Sequence, residues 1–202
     1  MALWYPLQVS FHLWPLINKL ANRLQMENLK YTPNYCEENV WQLCQHPQLQ
    51  DVTKRVLFIS SLSRNSPLQL QKSAQGETPV WWDYHVILLA SKDSRHSIYD
   101  FDSILPFPSE ARHYLNSTFQ EVPTMKPQDR PLFKVIEGQD YVANFDSDRS
   151  HMRDENDNWI FEPPTWPLIQ AKGSMSLESI LDFSNSNSQQ VYTLEVVLHL
   201  LD

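Results

Sequence analysis

Glycine is scarce in this 202-residue chain: Gly76, Gly138 and Gly173 are the only three, and they are widely spaced. A phosphate-cradling loop or a dinucleotide fingerprint needs glycines clustered at short spacing, so that the backbone can approach the ligand, and both are excluded. Cysteine is scarcer still, with Cys36 and Cys44 the only two. On one helix their separation is a rise of roughly 12 Å, beyond the ~7 Å that a disulfide tolerates between Cα atoms. A disulfide scaffold and a paired-cysteine metal site are therefore excluded, and free thiols point to the cytosol or nucleus. Basic charge is in deficit, with 16 Lys and Arg against 24 Asp and Glu for a net charge of -8. Such a chain repels phosphate backbones and anionic lipid surfaces, which argues against nucleic acid and membranes as partners. Long apolar runs are missing too. The first 25 residues come nearest, but Pro6, His12 and Pro15 interrupt them short of the about 18 residues a membrane span needs. They also lack the basic start and small-residue cleavage site of a signal peptide.

What is present describes a packed globule: 42% hydrophobic residues and 12% aromatics, against the aromatic poverty of disordered chains. The length suits one domain over 31–202, expected to be monomeric, preceded by an N-terminal extension over 1–30. After Pro15 the extension reads as an amphipathic helix docked on the domain. Leu16, Ile17, Leu20, Ala21 and Leu24 lie on one face and Asn18, Lys19, Asn22 and Arg23 on the other. Met26 could serve as an alternative start.

From residue 31 the pattern becomes denser. The run 36–44 reads as a helix with Asn34 as its cap, and it gathers Cys36, Val40, Leu43 and Cys44 on one face. Residues 55–62 read as a buried strand and 63–79 as a polar loop. Next comes a strand pair over 81–90 and 97–102, turning near 91–94. A helix is expected over 110–119, a strand over 133–136 and a short helix capped by Asp140. A loop rich in charge, Pro and Trp spans 147–168, and a last helix covers 194–201. Helices and mostly antiparallel strands in separate blocks make the class α+β.

Two features carry chemistry. Cys36 stands at the first turn of its helix, where the helix N-terminus favours a thiolate, although the adjacent Glu37 and Glu38 act against one. Taken alone, a cysteine there is most often a small apolar core residue. A nucleophile needs a base with a carboxylate behind it. If the hairpin closes around Lys92-Asp93, cross-strand partners have numbers summing to 185, and His85 stands opposite Asp100 with Cβ atoms about 5 Å apart. The remaining histidines (12, 46, 96, 113, 151 and 199) are scattered in polar or terminal contexts.

These residues fall within a larger pattern. The blocks are Tyr35-Cys36-Glu37-Glu38-Asn39-Val40-Trp41, Trp82-Asp83-Tyr84-His85-Val86, and Tyr99-Asp100-Phe101-Asp102 with Leu105-Pro106-Phe107-Pro108. They are followed in order by Phe133-Lys134-Val135-Ile136, by Ser147-Asp148-Arg149-Ser150-His151-Met152 and by the Pro163-Pro164 loop. Over roughly residues 31–195 the chain resembles the protein N-terminal glutamine amidohydrolase family. The resemblance implies a papain- or transglutaminase-like fold, with a cysteine heading a helix packed on an antiparallel sheet. It implies Cys36 as nucleophile, His85 as base and Asp100 as orienting acid, without metal or organic cofactor. The implied reaction converts an N-terminal glutamine of a protein or peptide to glutamate, in cytoplasm and nucleus, as a step toward arginylation and degradation.

Recognition of a free α-ammonium calls for an acidic group, and Glu37, Asp83, Asp102 and Asp148 are the candidates by location. Each also has an ordinary structural use, at a helix start, a strand edge or a turn. The block 147–152 either lines the pocket or braces its loop. Two other readings stay open: a related cysteine enzyme with different amide specificity, and a peptide-binding module with a vestigial triad.

Overall fold

The computed structural model describes residues 29–171, 175–184 and 190–202. The amphipathic helix expected after Pro15, and Met26, lie outside them. Six antiparallel strands form the main sheet. In chain order they are β1 (Thr53–Ser60), β4 (His85–Lys92), β5 (Arg95–Tyr99), β6 (Ser109–Glu110), β7 (Leu132–Glu137) and β10 (Val191–Thr193). Their spatial order is β10-β7-β1-β4-β5-β6. Two small sheets accompany it. Strands β2 (Ser66–Leu68) and β3 (Val80–Trp82) pair antiparallel; β8 (Phe145–Asp146) and β9 (Met175–Ser176) pair parallel. The helices are α1 (Cys36–Cys44), α2 (Ala111–Thr118), α3 (Gly138–Asn144), α4 (Leu177–Leu181) and α5 (Leu194–His199).

Strand alternation divides the core in two. Val56, Phe58, Val86, Leu88 and Ile136 point to one face and pack with Val40, Leu43 and Cys44 of α1 and Tyr141 of α3. Leu57, Ile59, Ile87, Leu89 and Phe133 point to the other and meet Tyr114 and Leu115 of α2 and Val197 of α5. Covering both faces explains why β1 and β4 read as near-continuous apolar runs rather than alternating ones. The architecture is mixed helix and mostly antiparallel sheet, as expected for α+β. Cys36, Val40, Leu43 and Cys44 do share one buried face, and both thiols are free.

Several local expectations need correction. The hairpin closes on Asp93-Ser94, both at positive φ (49° and 60°), with Lys92 paired to Arg95. Partner numbers therefore sum to 187, as in Leu88↔Tyr99, not 185. This two-residue slip preserves side-chain parity, so His85 and Asp100 remain on one face but as diagonal neighbours. Trp81 and Trp82 belong to β3, not β4, and the expected loop over 63–79 contains β2. Asn34 is not the cap of α1. Tyr35 is, without a side-chain bond, and Asn34 (φ 66°) turns the chain into the helix. Asn39 secures that turn by pairing its amide with both backbone groups of Thr32, at 2.8 Å each. Helix α3 starts at Gly138, ahead of Asp140. A Cβ at Gly138 would stand 2.7 Å from Lys54 Cβ, so the close approach to β1 demands glycine there.

Candidate active site

The site lies where α1 begins, β4 begins and β5 ends. Helix α1 packs against β4 and presents Cys36 at its first turn. The Val86 backbone N–H lies near enough to the sulfur to favour its charged form, which sets the thiol beside the residue following His85. His85 itself is fully buried, and its Nε2 lies 2.8 Å from Asp100 Oδ1. A carboxylate only accepts, so the Nε2 proton is donated to Asp100 and Nδ1 is left as the basic nitrogen. Nδ1 is buried without a hydrogen-bond partner among the described residues. The Trp82 ring stacks on the imidazole at 5.0 Å between centroids.

Asp100 is held from several sides. The Asp102 N–H donates to Oδ1 at 2.9 Å, and the Tyr114 hydroxyl and Gln71 amide donate to Oδ2 at 2.7 Å and 3.3 Å. Burial pushes its carboxyl up, but the neighbouring His85 and these donors outweigh burial and hold it below the ordinary range. For His85, burial disfavours the charged ring; the Asp100 charge and hydrogen bond, aided by Asp102 and Glu37, prevail and raise its affinity for a proton. The pair is therefore arranged to accept a proton.

The ligand atoms of His85, Asp100 and Asp102 lie within 4.8 Å of one another, near enough to consider a cation site. Both oxygens of Asp100 are already filled by donors, and such a network orients an imidazole rather than coordinating a metal. Asp102 is half-buried, and its Oδ1 accepts from the Tyr31 hydroxyl at 2.7 Å. Tyr31 in turn stacks on Phe101 and Phe101 on Phe107, an aromatic brace behind the Asp100 loop.

On the thiol the sequence expectation is corrected. Burial pushes the Cys36 thiol well above its ordinary value, and the charges of Glu37 and Asp102 add to this. The Val86 N–H pulls the other way and is outweighed. Burial thus favours the protonated thiol, whose proton a neighbouring base is placed to take during attack.

The neighbouring acids have different fates. Glu38, fully buried, accepts two hydrogen bonds from Arg149 (Nε to Oε1 at 2.7 Å, a terminal nitrogen to Oε2 at 2.8 Å). Ser147 and the Trp166 indole also donate to it, at 2.8 Å and 2.6 Å. Arg149 further donates to the carbonyls of Pro164, Trp166 and Pro167. Ser147 and Arg149 therefore brace the loop over 147–168 onto α1. Glu37 is also fully buried, with Oε2 receiving the Tyr84 hydroxyl at 3.1 Å and facing Cys36 Sγ at 3.6 Å. Asp83 and Asp148 are exposed, each with one oxygen on a neighbouring backbone N–H, of Tyr84 and Ser150 respectively.

Tyr84, Tyr114, Gln71 and His151 were not legible as site residues. Tyr84 and His151 did fall inside the quoted blocks, which was the available signal. A model of the N-terminal glutamine amidase family matches residues 31–200. The chain belongs to this family. Like other members, the amidase family chain has curated relatives named protein N-terminal glutamine amidohydrolase. The zebrafish (Danio rerio) protein is 43% identical over 159 residues, covering 75% of this chain and 78% of the relative. The human protein is 38% identical over 176 residues, covering 84% and 86%. That of Drosophila melanogaster is 34% identical over 157 residues, covering 75% and 77%. The matched region contains every residue of the amidase family site described above.

Proposed function

We propose that this chain is a protein N-terminal glutamine amidohydrolase, in which Cys36 is the nucleophile, His85 the base and Asp100 the orienting acid. The observation that carries the reading is the buried His85–Asp100 pair, whose Nδ1, unpartnered among the described residues, belongs to the residue preceding the amide that lies near the Cys36 sulfur. A helix headed by cysteine and packed on an antiparallel sheet that bears His and Asp supports the papain- or transglutaminase-like assignment.

As Cys36 Sγ attacks the γ-carboxamide carbon, His85 Nδ1 accepts the thiol proton, and Asp100 stabilises the resulting imidazolium. The first-turn N–H groups of α1 have no intrahelical partners and are the donors available to the oxyanion. His85 then protonates the leaving nitrogen, the C–N bond breaks, ammonia departs and a thioester remains. A water deprotonated by His85 attacks the thioester, giving glutamate and restoring the thiol. The chemistry needs no metal or cofactor. The product exposes an N-terminal glutamate suited to arginylation in the N-degron pathway. A monomer in the cytoplasm and nucleus fits free thiols and an acidic surface.

The test is ammonia release from a Gln-initiated peptide beside its acetylated twin, an internal Gln and an N-terminal Asn. Release from the free Gln peptide alone is expected, and Cys36→Ala or Cys36→Ser abolishes it. Near-normal turnover by either variant would sink the mechanism.

A further inference from the structure

Glu37 and Glu38 are adjacent, both fully buried, and treated in opposite ways. Glu38 has a resident cation in Arg149 and a donor on each oxygen. Glu37 has neither. Its Oε1 is buried with no hydrogen-bond partner among the described residues. His151 Nε2 stands 3.6 Å away, too far for a hydrogen bond, and lies 3.3 Å from the Tyr84 hydroxyl. A buried carboxylate oxygen without a donor is costly, so the arrangement calls for a positive partner that the neutral His151 ring does not supply.

The other groups packed around Glu37 do not supply one. Tyr84 and Cys36 face Oε2, and the Tyr141 hydroxyl on α3 is spent on the Glu37 carbonyl at 3.0 Å. His151 is the partly exposed cover, with 29% of its side chain open to solvent, so Oε1 is approached past it. Position completes the case. In a glutamine the α-nitrogen and the carboxamide carbon are four bonds apart, about 5 Å when extended. A carboxylate 3.6 Å from the nucleophilic sulfur can therefore hold the amine while the carboxamide meets the thiol. The shorter asparagine side chain leaves its carboxamide back from the sulfur under the same anchor.

Resting on the amidohydrolase reading, we infer that Glu37 is the anchor for the substrate α-ammonium, with Oε1 as acceptor and His151 as its cover. Of the four acids singled out in the sequence it is the one with a fully buried, unfilled oxygen beside the nucleophile among the described residues. Asp102 is tied to Tyr31, and Asp83 and Asp148 face solvent. The anchor also explains why a charge that disfavours the thiolate is kept next to Cys36. Once the ammonium sits on it, that charge is offset, and binding of a free amine favours removal of the thiol proton.

The test is calorimetric binding in the inert Cys36→Ala background, using a Gln-initiated peptide and its acetylated twin. The free amine should bind at least about 30-fold more tightly, the scale of a desolvated charge pair. Adding Glu37→Gln should bring the two affinities together, whereas adding His151→Ala should leave the preference in place. A global folding defect weakens both peptides alike and does not move their ratio. If Glu37→Gln does not fold, Glu37→Asp serves, and the preference should fall as the carboxylate retreats. A preference that survives either Glu37 change, that disappears with His151 alone, or that is absent from the Cys36→Ala protein overturns the assignment. The amidohydrolase reading fails separately, if the unaltered protein releases no ammonia from the free Gln peptide.

Discussion

Replacing Arg149 with Met tests whether the loop over 147–168 is held by one buried ion pair. Met keeps the length and apolar stem, and backbone strain at this left-handed position (φ 59°) is the same for both residues. The change strips Glu38 of its cation while that carboxylate stays fully buried. Breaking a buried pair on one side costs about 3–5 kcal/mol. Ser147 and Trp166 still donate to Glu38, which places the loss toward the lower end. The carbonyls of Trp166 and Pro167 are part-buried, so water can replace Arg149 there. We expect a loss of about 3–4 kcal/mol, and at about 2–4 °C per kcal/mol for a chain of this size a Tm lowered by roughly 6–16 °C. Urea denaturation followed by Trp fluorescence measures it. Glu38→Gln combined with Arg149→Met should recover at least about 1 kcal/mol, because no uncompensated charge is left. A loss under about 1 kcal/mol for Arg149→Met, or a double variant as unstable as the sum of the singles, would refute the reasoning.

Tyr114→Phe removes a donor to ionised Asp100. The depressed carboxyl contributes stability above its unfolded pKa and loses it as pH falls through the folded one. The variant should lose about 1.5–3 kcal/mol at neutral pH, and the acid limb of kcat/KM should move to higher pH; an unmoved limb excludes the role. Iodoacetamide should label Cys36 slowly at neutral pH, and Cys44, pushed up to about 12 by burial, slowly as well. Glu37→Gln should speed labelling of Cys36, and an unchanged rate would show that its charge does not reach the thiol. Ser94→Gly relieves a left-handed residue in the hairpin turn and should stabilise by about 1 kcal/mol in urea denaturation. Gly138→Ala drives a methyl against Lys54 and should cost about 1–3 kcal/mol by the same assay; a neutral effect would mean the strand and helix can separate freely.

The proposed trio of Cys36, His85 and Asp100 could be picked out before any fold was known because each part of the signal is local. A helix start, an apolar strand and a two-strand hairpin are set by neighbours along the chain. Even the wrong hairpin register did no harm, since a two-residue slip conserves parity and leaves His85 and Asp100 on one face. The protonation of Cys36 was less accessible. The helix start argues for a thiolate, and only the depth of burial shows that desolvation and Glu37 prevail.

By itself, then, the sequence determined the class of fold, the residues proposed as nucleophile, base and acid, and the family, all of which rest on short-range pattern and on ordered blocks of residue types. Tertiary structure decided the roles of the two glutamates that follow Cys36. They are identical in sequence and neighbours on one helix turn. Glu38 meets Arg149 and Trp166, 111 and 128 residues away, and becomes a brace. Glu37 meets Tyr84 and His151 and keeps an oxygen unfilled. Which carboxylate is paired depends on contacts between distant segments and on the depth of burial, and neither can be read from residue spacing.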